Sequence, residues 1–268
     1  MMSLVTLIER APVLEIVFTR VEKRNAVNRA LLLDLEAALD SAERLATDAP
    51  AVWRAILLRG EGPVFCAGID LGAFGEWAEV SGAAFRENLF ATTALYQRVA
   101  NKLEAHALPV IALMHGAALG LGMELALAAD LRIAAEGTRL QLPETRGGII
   151  PDVGGTTRLT RLIGAARAKE YILTGKPFDL ADAERWGLVN AVVPADQLLA
   201  RGDALTAELA LAAPLAVRYG KKVIDGMSDL ARGLALESWA QAALMNSEDT
   251  LIGMQAGMLK TTPEWKGK

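Results

Sequence analysis

Residues 110–152, VIALMHGAALGLGMELALAADLRIAAEGTRLQLPETRGGIIPD, constrain this chain more than any other stretch. An aliphatic run ends at His115, and a turn dotted with Gly116, Gly120 and Gly122 follows. An apolar segment carrying one acid, Glu124, then opens a predicted helix. A carboxylate in such surroundings is costly unless the fold gives it a partner or a task. A second acid, Glu144, comes 20 residues later in a loop bounded by Pro143 and by Gly147-Gly148. The reading that uses both acids brings them together over a substrate whose developing negative charge is held by backbone amides of the glycine-rich turn.

The 19 residues from Ala105 to Met123 carry no formal charge, but they make a poor membrane span. Pro109, three glycines, His106 and His115 interrupt them and Glu124 closes them, which suits a buried strand, a turn and a helix start. With 28 basic and 32 acidic residues the net charge is −4, so nothing global draws the chain to nucleic acid or to an anionic membrane. The one cysteine, Cys66, excludes an intrachain disulfide and suits a reducing compartment. MMSLVTLIER has no basic head and meets Glu9 early, so no secretion signal is expected and the location expected is cytoplasmic.

Taken in order, residues 4–18 predict two strands joined at Arg10-Ala11-Pro12, the second alternating through Val13, Glu15 and Val17. Asn28 is placed to cap a helix whose apolar face holds Leu31, Leu35, Ala38 and Leu39. Residues 51–59 predict a strand, and residues 81–105 a long amphipathic helix opened by Ser81. Short strands are expected over 131–134, 138–142 and 188–193, with helix over 156–174 and 180–186. From Asp196 onward only helical spacing is found, broken at Ala213-Pro214, Gly226 and Glu248. Alternating strand and helix followed by helix alone argues for an α/β core, residues 1–195, with a helical appendage, residues 196–268.

The dinucleotide fingerprint fails at Leu125, where its third glycine would stand. No phosphate-loop lysine motif, serine elbow or His-Glu-x-x-His pattern occurs, and two histidines with one cysteine offer little for a metal. Cys66 and His115 could form a nucleophile and base, but Cys66 between Phe65 and Ala67 reads better as a packed thiol. Two loops, 65–71 (FCAGIDL) and 115–124 (HGAALGLGME), share a small-residue exit from an apolar strand, which leaves amide hydrogens free to meet an acceptor. The second is also a helix N-terminus, which favours an anion.

These loops, followed by LPETRGGIIPDVGGTTRLTRLIGAARAKEYILTGKPFDLADAERWGLVNAVVP, resemble the crotonase superfamily, the enoyl-CoA hydratase and isomerase group. The likeness runs from KRNAVN to the GMLKTTPEWKGK tail. It implies a spiral of ββα units with a C-terminal helical region that trimerises and covers the active site, giving a homotrimer or a homohexamer built as a dimer of trimers. It implies an acyl-CoA thioester as partner, with neither nucleic acid nor membrane, and no cofactor, coenzyme A being part of the substrate. The thioester oxygen would sit between the backbone N–H groups of Ala67 and Leu121, the latter a position where many relatives have glycine. Lys23, Arg24, Ala26, the segment Ala67, Gly68, Ile69, Asp70 and Leu71, Gly120, and Lys260 from a neighbouring subunit would hold CoA.

By the same resemblance, the positions of Glu124 and Glu144 are those of the family's hydratases, where the two acids hold the water that adds across the 2,3 double bond. Glu124 would orient it and take its proton, and Glu144 would protonate the α-carbon. Asp152, eight residues after Glu144, stands where the best-known hydratases have glycine and some isomerases a catalytic aspartate. Three acids could shuttle protons in an enoyl-CoA or dienoyl-CoA isomerase, whereas a purely structural Asp152 would cap the helix from Gly154. The segment 72–89 is expected to form the acyl pocket wall. A non-catalytic CoA-ester-binding or RNA-binding member fits less well, because both acids are present and the chain is mildly acidic.

Overall fold

The computed structural model describes residues 3–72, 85–227 and 230–268. Eight strands are described: β1 (Val5–Arg10), β2 (Val13–Phe18), β3 (Ala55–Gly60), β4 (Val110–Met114), β5 (Ala117–Leu119), β6 (Leu131–Ala135), β7 (Arg139–Gln141) and β8 (Ala191–Val193). The larger sheet has the order β1-β2-β3-β4-β6-β8, antiparallel between β1 and β2 and parallel thereafter. β5 and β7 pair in parallel as a second, small sheet.

Helices complete each turn: α1 (Arg29–Asp48), α2 (Phe85–Glu104), α3 (Leu121–Leu127), α4 (Gly155–Ile163), α5 (Ala165–Thr174) and α6 (Leu180–Arg185). Thus β4, β5 and α3 form one ββα unit, and β6, β7 and α4 the next. Each unit gives one strand to each sheet and advances by one place, which is the spiral expected. Beyond β8 the described residues hold only helices: α7 (Leu198–Ala210), α8 (Pro214–Gly226), α9 (Leu230–Leu244) and α10 (Glu248–Leu259).

The large sheet is covered on both faces. Leu14, Ile16, Ile56, Leu58, Val110 and Ala112 pack with Leu31, Leu35, Leu39, Val99 and Leu103 of α1 and α2. Val13, Leu57, Ile111, Leu113 and Ile133 face the other way, against Leu198, Leu205 and Leu209 of α7. That explains the unbroken apolar runs of the parallel strands. It also corrects the alternation expected of β2, whose six residues are all buried. Glu15 is buried among them because Arg10 and Arg59 meet its two oxygens at 2.7 and 2.8 Å.

Asn28 caps α1 as expected, its Oδ1 accepting from Leu31 N–H. The strand expected over 51–59 begins only at Ala55, and the helix expected over 156–174 is two, divided at Gly164 with φ 79°. The predicted helix start at Ser81, and most of the pocket wall expected over 72–89, lie outside the described residues.

One side chain ties the first loop to the strand exit that follows β3. Asn25 is wholly buried at φ 56°, and its Nδ2 donates to the carbonyls of Glu61, Val64 and Phe65 at 2.9, 3.0 and 3.1 Å. Asn25→Ala leaves those carbonyls unmet and puts alanine in the left-handed region, so a loss of about 2–4 kcal/mol is expected in urea unfolding.

Candidate active site

The two loops singled out in the sequence lie side by side. Cys66 N–H donates to Ala117 O at 3.0 Å and Leu119 N–H to Cys66 O at 3.1 Å, so 65–69 runs parallel to β5 with Cys66 abreast of Ala118. Beyond that bridge the loop stays close to the start of α3, where a Cβ on Gly68 would stand 3.8 Å from Leu121 N. Gly68, at φ 99°, turns the backbone over, which only glycine does cheaply. After that turn Gly68 O accepts from Val27 N–H and Asp70 N–H donates to Val27 O, at 2.8 and 2.9 Å. By strand alternation Ile69 N–H then faces away from Val27, toward Leu121. Leu121 is the first residue of α3, so its own N–H has no intrahelical acceptor. Neither amide has an acceptor among the described residues.

Ala67 does not fill the role expected of it. Its N–H donates to Arg24 O at 3.0 Å, so the pair of free amides is Ile69 and Leu121, with Ile69 two residues further along. No residue type signals this, since it follows from backbone direction and the turn at Gly68.

Glu124 sits on α3, 2 % exposed, and its Oε1 accepts from Val153 N–H and Gly155 N–H, both at 2.8 Å. Burial pushes its carboxyl up to about 8, with Glu144 and Asp152 adding to the rise and the two amide donors opposing it. Glu144 opens the short 3-10 turn Glu144–Gly147, which is pinned by Thr145 Oγ1 donating to Ile172 O at 2.7 Å and Arg146 Nε to Thr174 O at 2.8 Å. Its Oε1 lies 2.8 Å from where a Cβ on Gly120 would stand, and Gly120 is the residue just before α3, one turn from Glu124. Its Oε2 is buried with no hydrogen-bond partner among the described residues. Burial, then the charge of Asp152, raises this carboxyl too. Two carboxyls thus adjoin one helix N-terminus, each with an oxygen not committed to the backbone.

Residues 9–268 match the family described as enoyl-CoA hydratase/isomerase. The chain belongs to the enoyl-CoA hydratase/isomerase family. It is 37% identical over 267 residues to an enoyl-CoA isomerase/hydratase of Mycosarcoma maydis, covering 97% of this chain and 94% of that one. It is 38% identical over 261 residues to the mitochondrial enoyl-CoA hydratase domain-containing protein 2 of Homo sapiens, covering 95% and 85%. The crystal structure of an enoyl-CoA hydratase from Bacillus anthracis superposes with a TM-score of 0.88 at 35% identity, over 99% of this chain and 100% of that one. The ββα spiral is therefore the crotonase fold, and the family acts on acyl-CoA thioesters.

Within this enoyl-CoA hydratase/isomerase chain, Asp152 is not a helix cap. Gly154 is the N-cap of α4 without a side-chain bond, and the nearby amide donors are met by Glu124. Asp152 is exposed instead, with Oδ2 accepting from Thr93 Oγ1 at 3.0 Å and its carbonyl from Gln97 Nε2 at 2.6 Å. Cys66 and His115 do not pair: the buried thiol meets Asn25 O at 3.0 Å and is pushed up to about 12 by burial, while His115 Nε2 meets Gly62 O at 2.9 Å.

The residues expected to hold CoA are partly gathered. Lys23 and Arg24 are exposed on the loop that Arg24 O ties to Ala67. Arg20 Nη1 donates to Ala26 O at 2.8 Å and to Asp70 Oδ2 at 2.6 Å, joining Ala26 to the 67–71 segment. Arg20 was not anticipated, and its ion pair holds the Asp70 carboxyl below its usual range. Leu71 is exposed. Lys260 is exposed at the left-handed C-cap of α10, and no described hydrogen bond or ion pair joins its side chain to the loops. No described helix is long and apolar enough to cross a membrane.

A carboxyl whose proton affinity rises on folding lowers stability as pH climbs from its ordinary value of 4.5 toward about 8. Glu124→Gln keeps an oxygen for the two amide donors and removes that penalty. Its Tm should gain on the wild type by about 5 °C between pH 5 and pH 8, followed by differential scanning fluorimetry across pH.

Proposed function

We propose that this chain is an enoyl-CoA hydratase that adds water syn across the 2,3 double bond of a 2-enoyl-CoA thioester. The observation that carries the reading is the adjoining of two carboxyls raised by burial, Glu124 and Glu144, beside two amide N–H groups that lack an acceptor.

The thioester oxygen takes both N–H groups, of Ile69 and Leu121, and as it gains enolate charge each donor is worth about 3 kcal/mol to the transition state. Glu124, ionised while the shared proton rests on Glu144, orients the water with the oxygen the backbone leaves free and takes its proton. Glu144 delivers a proton to the α-carbon. Two close carboxyls in a poorly solvated site share one proton more readily than they hold two charges, so hydration passes that proton in net terms from Glu144 to Glu124, and dehydration reverses the transfer. The chemistry calls on no separate cofactor.

Lys23, Arg24 and Ala26 with the 67–71 segment and Gly120 are proposed to hold CoA, and Lys260 to reach a neighbouring subunit's site. The helical region 196–268 is proposed to form a trimer, or a hexamer of two trimers, and to cover the site. Support comes from Leu234, Trp239, Leu251, Met254 and Met258, which are exposed on α9 and α10 of the single chain. A cytoplasmic setting is supported by the lone reduced cysteine.

An isomerase is the second reading, favoured by one observation: the charge of Asp152 acts on both glutamates, so a third acid stands within electrostatic reach. Purified protein with a 2-enoyl-CoA should lose the absorbance of the conjugated thioester and gain one water by mass. Conversion of a 3-enoyl-CoA to the conjugated form, abolished by Asp152→Asn, would establish the isomerase instead. Glu124→Gln and Glu144→Gln should each lower turnover by at least about 100-fold. Near-normal turnover in either removes that residue from the mechanism.

A further inference from the structure

The two amides that grip Glu124 belong to the entry into α4, Val153 in the irregular turn before the helix and Gly155 its first residue, so something else must hold that turn. A polar stripe on α2 does so. Thr93, Gln97, Asn101 and Glu104 recur at helical spacing along one face. Thr93 Oγ1 and Gln97 Nε2 donate to the side chain and the carbonyl of Asp152. Asn101 Oδ1 and Glu104 Oε2 accept from Arg158 Nη2, both at 2.6 Å, and Glu104 Oε2 also from Nε at 3.1 Å.

Arg158 completes the grip from α4. It is 7 % exposed, and its Nη1 donates to Val153 O at 3.0 Å. The guanidinium lies so close to Gly154 that a Cβ there would meet Nη1 at 1.9 Å. On the opposite side a Cβ on Gly155 would stand 2.8 Å from Glu124 Oε1. The Gly154-Gly155 pair of the GGTTRL stretch is thereby explained: the backbone is a thin wall between a guanidinium and a carboxyl.

The bonds run in series. Gln97 donates to the carbonyl of the Asp152–Val153 peptide, and the N–H of that same peptide donates to Glu124 Oε1. Hydrogen bonds in such a chain polarise one another, each strengthening the next by about 10–30%.

We propose that Arg158 and Gln97 are positioning residues for the proposed hydration: by holding the 152–155 backbone they fix Glu124 Oε1 on two amides and so leave Oε2 to the substrate water. The inference rests on the hydratase reading for its consequence in turnover but not for its geometry. The charges that act on Glu124 are Glu144 from the 3-10 turn and Asp152 from the segment itself, with Arg158 of α4 and its partner Glu104 of α2 on the far side of the Gly154-Gly155 backbone. Withdrawing a donor or the guanidinium from this set disfavours the ionised carboxyl, so its titration moves to higher pH.

The test compares Gln97→Met and Arg158→Met with the wild type. kcat for 2-enoyl-CoA hydration should fall about tenfold and about 100-fold respectively, with KM changed by less than about twofold, because the CoA loops lie elsewhere. The Glu124 titration is followed by carbon-13 NMR on protein labelled at glutamate Cδ and assigned with Glu124→Gln. Its midpoint should rise by about 0.5–1 pH unit in both variants, a response that a merely structural role does not produce. Gln97 is exposed, so its variant keeps the test decisive even where Arg158→Met fails to fold. An unmoved midpoint in Gln97→Met overturns the inference whatever happens to kcat. If the midpoint moves while the wild type hydrates no enoyl-CoA, the hydratase reading fails and the positioning role stands.

Discussion

A carboxyl buried at the start of α3 and held through one oxygen by two backbone amides is the constraint from which the site is built. Taking Glu124 out of water is expensive, and Val153 and Gly155 N–H only partly offset the cost, so burial pushes its carboxyl up to about 8. The fold accepts an imperfectly compensated acid because the compensation is one-sided. Oε1 takes both amides, and no described backbone donor meets Oε2. Glu144 repeats the theme less deeply, with Oε1 beside Gly120 and Oε2 buried without a partner among the described residues.

The free amides arise from the same economy of backbone. A ββα spiral brings the exit of β3 alongside β5, and each of those short pairings must end where α3 begins. At that end the ladder has no further strand to bond. Ile69 and Leu121 are therefore left with N–H groups that meet no acceptor among the described residues, set by a parallel register and by the reversal at Gly68. The backbone on either side of these amides is tied down, Gly68 and Asp70 to Val27, Ala67 to Arg24, and Gly120 to Gln141.

Behind the carboxyls lies a second polar layer that a reading of catalytic groups alone passes over. Arg158 and the stripe on α2 do not touch Glu124 themselves, yet they hold the backbone whose amides meet it. The ion pair of buried Arg158 with half-buried Glu104 is better understood as geometry than as stability, since taking a charge out of water offsets much of what the pairing gains.

Local physics made much of this legible in the sequence. The hairpin before residue 18, the Asn28 cap, the breaks at Pro214, Gly226 and Glu248, and the helix carrying Glu124 all follow from turn chemistry, capping and periodicity over a few residues. The pair of acids is legible from the apolar setting of Glu124 and the Pro143 and Gly147-Gly148 loop around Glu144, and the two loops with GGTTRL carry the likeness to the family. Four features needed the tertiary structure: the strand β5 within the glycine turn, the burial of Glu15, the Ile69 amide in place of Ala67, and the amide donors before α4 met by Glu124 rather than by Asp152. Each depends on the register or approach of segments distant in sequence. Residue type and spacing set what a short segment prefers, whereas which amide is left without an acceptor, and which acid meets it, is decided only when distant backbones pair.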